Sequence, residues 1–210
     1  MRRRSNHPRS GAAGRPRWNH NIHYHRLILD ALPAGAQTAL DIGTGNGLLA
    51  TELAGRVPSV TGIDRDEPVL ASARQESNAV TWVSGDVMDH PFERESFDVV
   101  ASVATLHHIA DVDAALQRCA DLTAPGGVVA IVGLGRSTRP KHVALQLAGV
   151  VQHQYLSRRR GLWEHTAPIV WPPPHTYSEI EAAVGRVMPE ATFRLLPMWR
   201  YVAVWHKPTR

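Results

Sequence analysis

The residues with the clearest chemical meaning form the stretch DIGTGNG, in which Gly43, Gly45 and Gly47 follow Asp41 on alternate positions. Glycines at this spacing let a backbone approach a ligand closely. The dinucleotide fingerprint G-x-G-x-x-G would need a glycine where Leu48 stands, and the phosphate-loop motif would need a Gly-Lys pair that is absent. Asp41 would repel a pyrophosphate at the following helix, so the loop favours a positively charged group such as an ammonium or a sulfonium.

Two further acids follow apolar runs and extend this interpretation. Asp64 ends SVTGID, about 20 residues past the loop, where an acid can accept hydrogen bonds from both ribose hydroxyls. Asp86, in WVSGDVMD, can accept from an exocyclic amine such as that of adenine, with Val87 and Met88 packing on the ring. The predicted ligand therefore has a ribose, an adenine and a cationic part, and no phosphate.

The elements that must position these residues alternate regularly along the chain. Apolar runs typical of strands buried on both faces lie at Ala39–Ile42, Val60–Ile63, Val80–Val83, Phe97–Ser102 and Gly127–Leu134. Helical patterns lie at Leu48–Ala54, Glu67–Ser77 and Val112–Leu122. Strands that alternate with helices predict an α/β fold with a doubly wound parallel sheet.

The C-terminal third departs from this rhythm. Residues 136–175, with three consecutive prolines, are predicted to form an insertion that holds one helix and covers the substrate. A helix is predicted at Thr176–Val187, and ATFRLLPMWRYVAVW predicts two strands joined by a tight turn at Pro197 and Met198. The predicted sheet thus has seven strands and closes with an antiparallel hairpin.

Charge and cysteine content limit the classes of function. Residues 1–17 contain six arginines and no acid, which leaves the remaining chain with a small acidic excess. We expect this basic tail to be disordered and residues 18–210 to form a single domain. Neither an export signal nor a membrane span is apparent, and the lone Cys119 lies on the apolar face of a predicted helix. These features predict a cytoplasmic protein.

Five motifs in order carry a resemblance to a known family. ALDIGTGNG, GID, SGDVMD, FDVVASVATLHHIAD and LTAPGGVVAIVGL, within about residues 37–134, resemble the class I S-adenosylmethionine-dependent methyltransferases. The resemblance implies that S-adenosylmethionine is the cofactor and that a carbonyl of Ser102 or Val103 meets its amino group. The cofactor-binding residues that it implies are Asp41, Gly43, Gly45, Asp64, Arg65, Asp86, Val87 and Ser102.

Two groups of histidines are candidates for functional residues. His108, after the fourth strand, is the candidate general base or substrate-orienting residue. The alternative is a structural histidine that is hydrogen-bonded to a loop carbonyl. The adjacent His107 is not expected to share the pocket of His108. The cluster HNIHYH at residues 20–25 has no cysteine or nearby carboxylate, so we predict no metal site. We expect instead an amphipathic helix that folds Trp18, Ile22 or Tyr24 over the cleft.

The sequence therefore predicts methyl transfer to an O, N or C nucleophile of a small molecule, with Trp163, Trp171 and His165 as predicted pocket walls. Three alternatives stay open: a nucleic-acid methyltransferase that uses the arginine-rich tail, a nicotinamide dehydrogenase, and a non-catalytic adenosyl-cofactor-binding protein. The near-neutral body and the strand end SVATLHH count against nucleic acid, since enzymes that act on flipped bases use an Asn-Pro-Pro-Tyr type of motif. Loop spacing and Asp41 count against the dehydrogenase.

Overall fold

A computed structural model describes residues 17–163 and 171–209. Its strands are β1 (Thr38–Ile42), β2 (Ser59–Asp64), β3 (Val80–Ser84), β4 (Phe97–Val103), β5 (Thr123–Gly133), β6 (Thr192–Leu196) and β7 (Arg200–His206). Its α-helices are α1 (His25–Leu29), α2 (Leu48–Ala54), α3 (Glu67–Ala73), α4 (Val112–Leu122), α5 (Pro140–Arg160) and α6 (Tyr177–Val187). Residues 1–16 of the predicted tail and His165 lie outside the described residues.

The seven strands form one sheet in the order β3-β2-β1-β4-β5-β7-β6. Strands β1 to β5 pair in parallel, whereas β7 pairs antiparallel with both β5 and β6. The predicted doubly wound sheet with a closing hairpin is therefore confirmed. The strand order reverses between β1 and β4, and in open α/β sheets ligands bind beside such a reversal, at the carboxyl ends of the strands.

Side chains alternate between two hydrophobic clusters, one on each face of the sheet. Leu40 of β1 packs with α4 and α6 on one face, and its neighbour Ala39 packs with Leu49 and Leu53 of α2 on the other. This alternation is the two-residue period of a strand that is buried on both faces. Cys119 belongs to the first cluster, as its helical position predicted.

The prediction that all five parallel strands are buried on both faces is wrong for β3. Val80 is its one buried residue, while Thr81 and Ser84 are exposed. The physical reason is that β3 lies at the edge of the sheet and pairs only with β2, so it has a helix-covered neighbour on one side only. Helix α3 is also shorter than predicted, because its α-helical hydrogen bonding ends at Ala73.

Residues 136–175 and the N-terminal segment both contact the C-terminal hairpin. Residues 136–175 contain the one predicted helix, α5, which reaches the hairpin turn through a hydrogen bond from the Trp199 backbone N–H to Gln146 Oε1, and Tyr24 Oη donates to the carbonyl of Pro197. The predicted N-terminal helix is a 3-10 turn at Ile22–Tyr24 that continues into the short α1. None of the described helices combines the length and apolar character that crossing a membrane requires.

Candidate active site

A cavity of about 970 Å³ opens along the carboxyl ends of the parallel strands, beside the reversal in strand order. Its size falls in the range of small-molecule sites. The loop after β1 and the acids that end or follow β1, β2 and β3 all line it. The structure thus brings together Asp41, Gly43, Gly45, Asp64, Arg65, Asp86 and Val87.

The glycine loop has a backbone that only glycine adopts without strain. Gly43, Gly45 and Gly47 have φ angles of +66°, +54° and +76°. A Cβ on Gly43 would lie 2.1 to 2.6 Å from side-chain atoms of Thr105. The backbone N–H groups of Gly43 and Thr44 both donate to the carbonyl of Ile63, at 2.8 and 3.0 Å, which fixes the loop against the end of β2.

Asp41 lies at the bottom of this loop with 2% of its surface exposed. Its Oδ2 accepts a 2.7 Å hydrogen bond from Oγ1 of Thr44. Burial raises the pKa of Asp41 to about 6, although Thr44 and the nearby His25 lower it. A buried carboxylate at the edge of a cavity is stabilised by a cation, so this residue favours a positively charged ligand group.

Asp64 is held by two backbone donors. Its Oδ2 accepts from the Gly45 N–H at 2.8 Å and its Oδ1 accepts from the Asp66 N–H at 3.0 Å. A carboxylate oxygen can accept more than one hydrogen bond, so both retain capacity for hydroxyl donors. Such a fixed carboxylate at the end of β2 suits a vicinal diol.

The loop after β3 presents Asp86 and Val87 to the cavity. Oδ1 of Asp86 accepts from the Met88 N–H at 2.9 Å, and Oδ2 lies 3.4 Å from Nη1 of Arg65. Val87 is buried and lines the cavity, whereas Met88 packs against the core instead. The loop is supported from α4, because Nε of Arg118 donates to the carbonyl of Val87 at 2.9 Å.

At the end of β4, the structure separates two residues that the sequence left as alternatives. Ser102 is buried and points away from the cavity, with its Oγ donating to the carbonyl of Ile42 at 3.0 Å. The next residues, Val103 and Thr105, do line the cavity. The side chain of Ser102 therefore bridges β4 to β1 and does not line the cavity.

Comparison with known proteins agrees with this geometry. The sequence family described as "Methyltransferase domain" matches residues 40–131. An uncharacterized methyltransferase of Mycobacterium tuberculosis is 40% identical over 193 residues, which cover 91% of this chain and 98% of that relative. The chain belongs to the class I S-adenosylmethionine-dependent methyltransferases.

Two further similarities define how far this relationship extends. A demethylmenaquinone methyltransferase of Roseiflexus castenholzii is 32% identical over 114 residues, or 52% of this chain and 48% of that one. The solved structure of a TehB-like methyltransferase from Corynebacterium glutamicum shares the fold, with a TM-score of 0.57 and 21% identity over 87% of this chain and 86% of that chain. The protein is thus a methyltransferase, and its family implies that S-adenosylmethionine is the cofactor.

The two histidines of this methyltransferase share the cavity, contrary to the expectation that adjacent residues would not. Leu106–His108 forms a 3-10 turn, in which neighbouring side chains diverge by only about 120°. The rings of His107 and His108 are 4.1 Å apart, and both line the cavity. Burial, followed by the charges of His108 and Arg200, lowers the pKa of His107 to about 4, and burial with Arg65 lowers that of His108. The lowered pKa values favour the neutral imidazole at both positions.

The remaining walls come from the chain ends and the insertion. Of the N-terminal residues expected over the cleft, Ile22 lines the cavity, whereas Trp18 and Tyr24 are buried in the core. Trp163 and Trp171 line it as predicted. Over the described residues no cluster of His, Cys, Asp and Glu side chains that could hold a metal ion is found.

Sequence reasoning missed several residues that shape the site. Thr44 and Thr105 bond to the glycine loop and its acid, Arg118 supports the loop of Val87, and Arg200 lines the far wall. Only Arg200 had a visible signal, because it directly precedes the apolar run YVAVW of a predicted strand.

Proposed function

We propose that this methyltransferase binds S-adenosylmethionine in the cavity and transfers its methyl group to an O, N or C nucleophile of a small-molecule acceptor. The observation that carries the proposal is the convergence of Asp41, Asp64 and Asp86 on one cavity beside the glycine loop. Three acids around a glycine loop whose backbone can approach a ligand closely favour the binding of a cationic nucleoside. They disfavour the binding of a pyrophosphate.

The residues present fit the cofactor. Gly43 and Gly45 would border the methionine part, because a side chain on Gly43 has no room beside Thr105. Asp41 would meet the cationic end, and Asp64 would hold the ribose with Arg65 beside it. For the adenine, Asp86 would accept from the amine, and Val87 would contact the ring.

The chain's contribution to catalysis is mainly geometric. When bound, S-adenosylmethionine supplies a methyl group that is already activated by a positively charged sulfur. The protein must align the acceptor with that methyl group and exclude water, and such positioning can account for several kcal/mol of a barrier, on the order of 7 or more. His108 lies on the cavity wall in its neutral form. It is the proposed group that accepts the proton of the acceptor's nucleophile, where that nucleophile carries a proton.

A small-molecule acceptor is supported by the size of the cavity and by the similarity to a demethylmenaquinone methyltransferase. The cavity continues past the glycine loop to Leu134, Trp163, Trp171 and Trp199. These side chains offer an apolar wall for the acceptor.

Isothermal titration calorimetry of the full chain tests the cofactor assignment. We expect S-adenosylhomocysteine to bind at micromolar concentration and NADH not to bind. Binding of NADH without S-adenosylhomocysteine would overturn the proposal in favour of a dehydrogenase.

A second experiment tests the acceptor class. With methyl-labelled S-adenosylmethionine, we expect label to enter small phenols, amines or acids and not oligonucleotides. We expect deletion of residues 1–16 to leave that transfer unchanged; Arg17 is kept because its guanidinium lies over the ring of the cavity-wall residue Trp163. Label that enters only nucleic acid, and only with the tail present, would favour the nucleic-acid alternative. Binding without transfer to any compound would favour a binding protein.

A further inference from the structure

Arg200, the first residue of β7, is a buried arginine on the wall of the cavity. Its exposure is 3%, and it lines the cavity together with its neighbour Trp199. Burial lowers its pKa to about 10, so the guanidinium stays charged at neutral pH. Its positive charge contrasts with the negative charges of the acids in the other half of the site.

All hydrogen-bond partners of this guanidinium are neutral. Nη1 donates to the carbonyls of Met198 and Trp199, each at 3.3 Å, and Nη2 donates to Oδ1 of Asn21 at 2.6 Å. Nε has no hydrogen-bond partner. Among the described residues, no carboxylate pairs with Arg200. A buried charge without an opposite charge is costly, and a bound anion would offset that cost.

Two further buried polar atoms without hydrogen-bond partners belong to side chains that interact electrostatically with Arg200. Tyr177 Oη and His107 Nδ1 are buried without hydrogen-bond partners, and both side chains interact electrostatically with Arg200. Buried polar groups in folded proteins are nearly always paired, so the unpaired Nε of Arg200 and Nδ1 of His107, both residues of the cavity wall, favour a polar ligand. The guanidinium donors of Arg200 are suited to oxygen acceptors.

The sheet order places this cluster away from the cofactor end. Strands β4 and β5 separate β7 from β1, and three spacings of about 4.8 Å amount to roughly 14 Å across the sheet. The acids that line the cavity all lie in or directly after β1, β2 or β3: Asp41, Asp64, Asp66, Glu67 and Asp86. The cavity is therefore acidic at one end and basic at the end where Arg200 lies.

We propose that Arg200 binds the carboxylate of a carboxylic-acid acceptor, an inference that rests on the proposed methyl transfer. The guanidinium matches a carboxylate in shape and charge. Trp163, Trp171 and Trp199 form an adjoining wall for the acceptor's hydrocarbon part. A carboxylate could also come from the methionine part of the cofactor, and the position of Arg200 three strands from Asp41 favours the acceptor.

Matched acid and amide pairs test this proposal on the full chain. With S-adenosylhomocysteine bound, thermal shifts are measured with aromatic and aliphatic acids and their primary amides, beginning with 4-hydroxybenzoate and 4-hydroxybenzamide. We expect at least one acid to bind ten times more tightly than its amide. Arg200→Gln should abolish that preference, and Arg194→Gln, on the exposed side of the same hairpin, should retain it. No acid preference in the wild-type protein, or a preference that survives in Arg200→Gln, overturns the proposal.

Two cofactor fragments distinguish the sources of the carboxylate. Arg200→Gln should bind both S-adenosylhomocysteine and 5′-methylthioadenosine, which lacks the carboxylate, within twofold of wild type. A tenfold loss for S-adenosylhomocysteine alone would assign Arg200 to the methionine carboxylate and overturn the inference while leaving the proposed function intact. A wild-type protein that binds neither fragment would overturn the proposed function itself. If Arg200→Gln fails to fold, Arg200→Lys keeps the charge, and it should bind S-adenosylhomocysteine with a reduced acid preference.

Discussion

The backbone N–H of Gly45 donates a 2.8 Å hydrogen bond to Oδ2 of Asp64. This bond connects the loop after β1 to the acid that ends β2. The other carboxylate oxygen accepts from Asp66 at the start of α3, so Asp64 joins three consecutive parts of the cavity rim. The residue proposed to hold the ribose therefore also fixes the shape of the glycine loop.

Replacement of this acid tests the ribose assignment. Asp64→Asn keeps one acceptor oxygen but removes the charge, so we expect S-adenosylhomocysteine to bind about 1–3 kcal/mol more weakly because charge-assisted hydrogen bonds are lost. Calorimetry gives the dissociation constant directly. Asp89→Asn, an exposed position after β3, is the matched control and should bind like wild type. An unchanged constant in Asp64→Asn would remove the ribose role.

Cofactor binding should depend on pH through Asp41. Its pKa is about 6 in the free protein because of burial, and a bound cation would favour the ionised form. Below pH 6 binding must displace a proton, so we expect the dissociation constant of S-adenosylhomocysteine to rise by up to about tenfold per pH unit, and to be flat above pH 7. Asp41→Asn should lack this slope. A slope that persists in that variant would show that Asp41 is not the group responsible.

Asp41 should also lower the free energy of unfolding of the protein at neutral pH. The folded pKa of about 6 lies above the ordinary 3.8, so protonation favours the folded state, and stability is lost as pH rises through 6. Asp41→Asn should therefore raise the free energy of unfolding at pH 7.5 by about 1–3 kcal/mol, with the difference from wild type vanishing below pH 4. Urea denaturation at both pH values measures this change. A variant less stable than wild type at pH 7.5 would show that ionised Asp41 stabilises the loop.

Glycine at position 43 is required by two independent constraints. Its φ of +66° disfavours other residues, and an added Cβ would lie within 2.6 Å of Thr105 Cβ. Gly43→Ala should lose about 1–3 kcal/mol of stability and most of its affinity for S-adenosylhomocysteine, as followed by urea denaturation and calorimetry. Gly185→Ala, in a helix with open space around it, should be as stable as wild type or slightly more so. Equal stability and equal affinity of the two variants would contradict the two constraints at position 43.

The sequence was sufficient to predict features that depend on local pattern. The five parallel strands, the hairpin and the acids at or after the carboxyl ends of β1, β2 and β3 all follow from apolar runs and their terminal residues. It did not distinguish Ser102 from Val103, because which of two consecutive strand residues faces the cavity depends on the register with β1. It also could not predict that His107 and His108 share the cavity, because a 3-10 turn there is set by tertiary packing.

Arg118 illustrates support that only the folded chain reveals, and it gives the last prediction. From α4 its Nε and Nη2 donate to the carbonyls of Val87 and His90, on the loop that carries the proposed adenine contacts. Arg118→Met keeps an unbranched stem but removes both donors, so we expect about 1 kcal/mol weaker binding of S-adenosylhomocysteine, roughly fivefold by calorimetry, through a less ordered loop. Arg94→Met, whose guanidinium pairs with Asp121 outside the cavity, loses comparable contacts and should bind normally. If both variants weaken binding equally, the loss reflects general stability, because Arg118 contacts the loop and Arg94 does not.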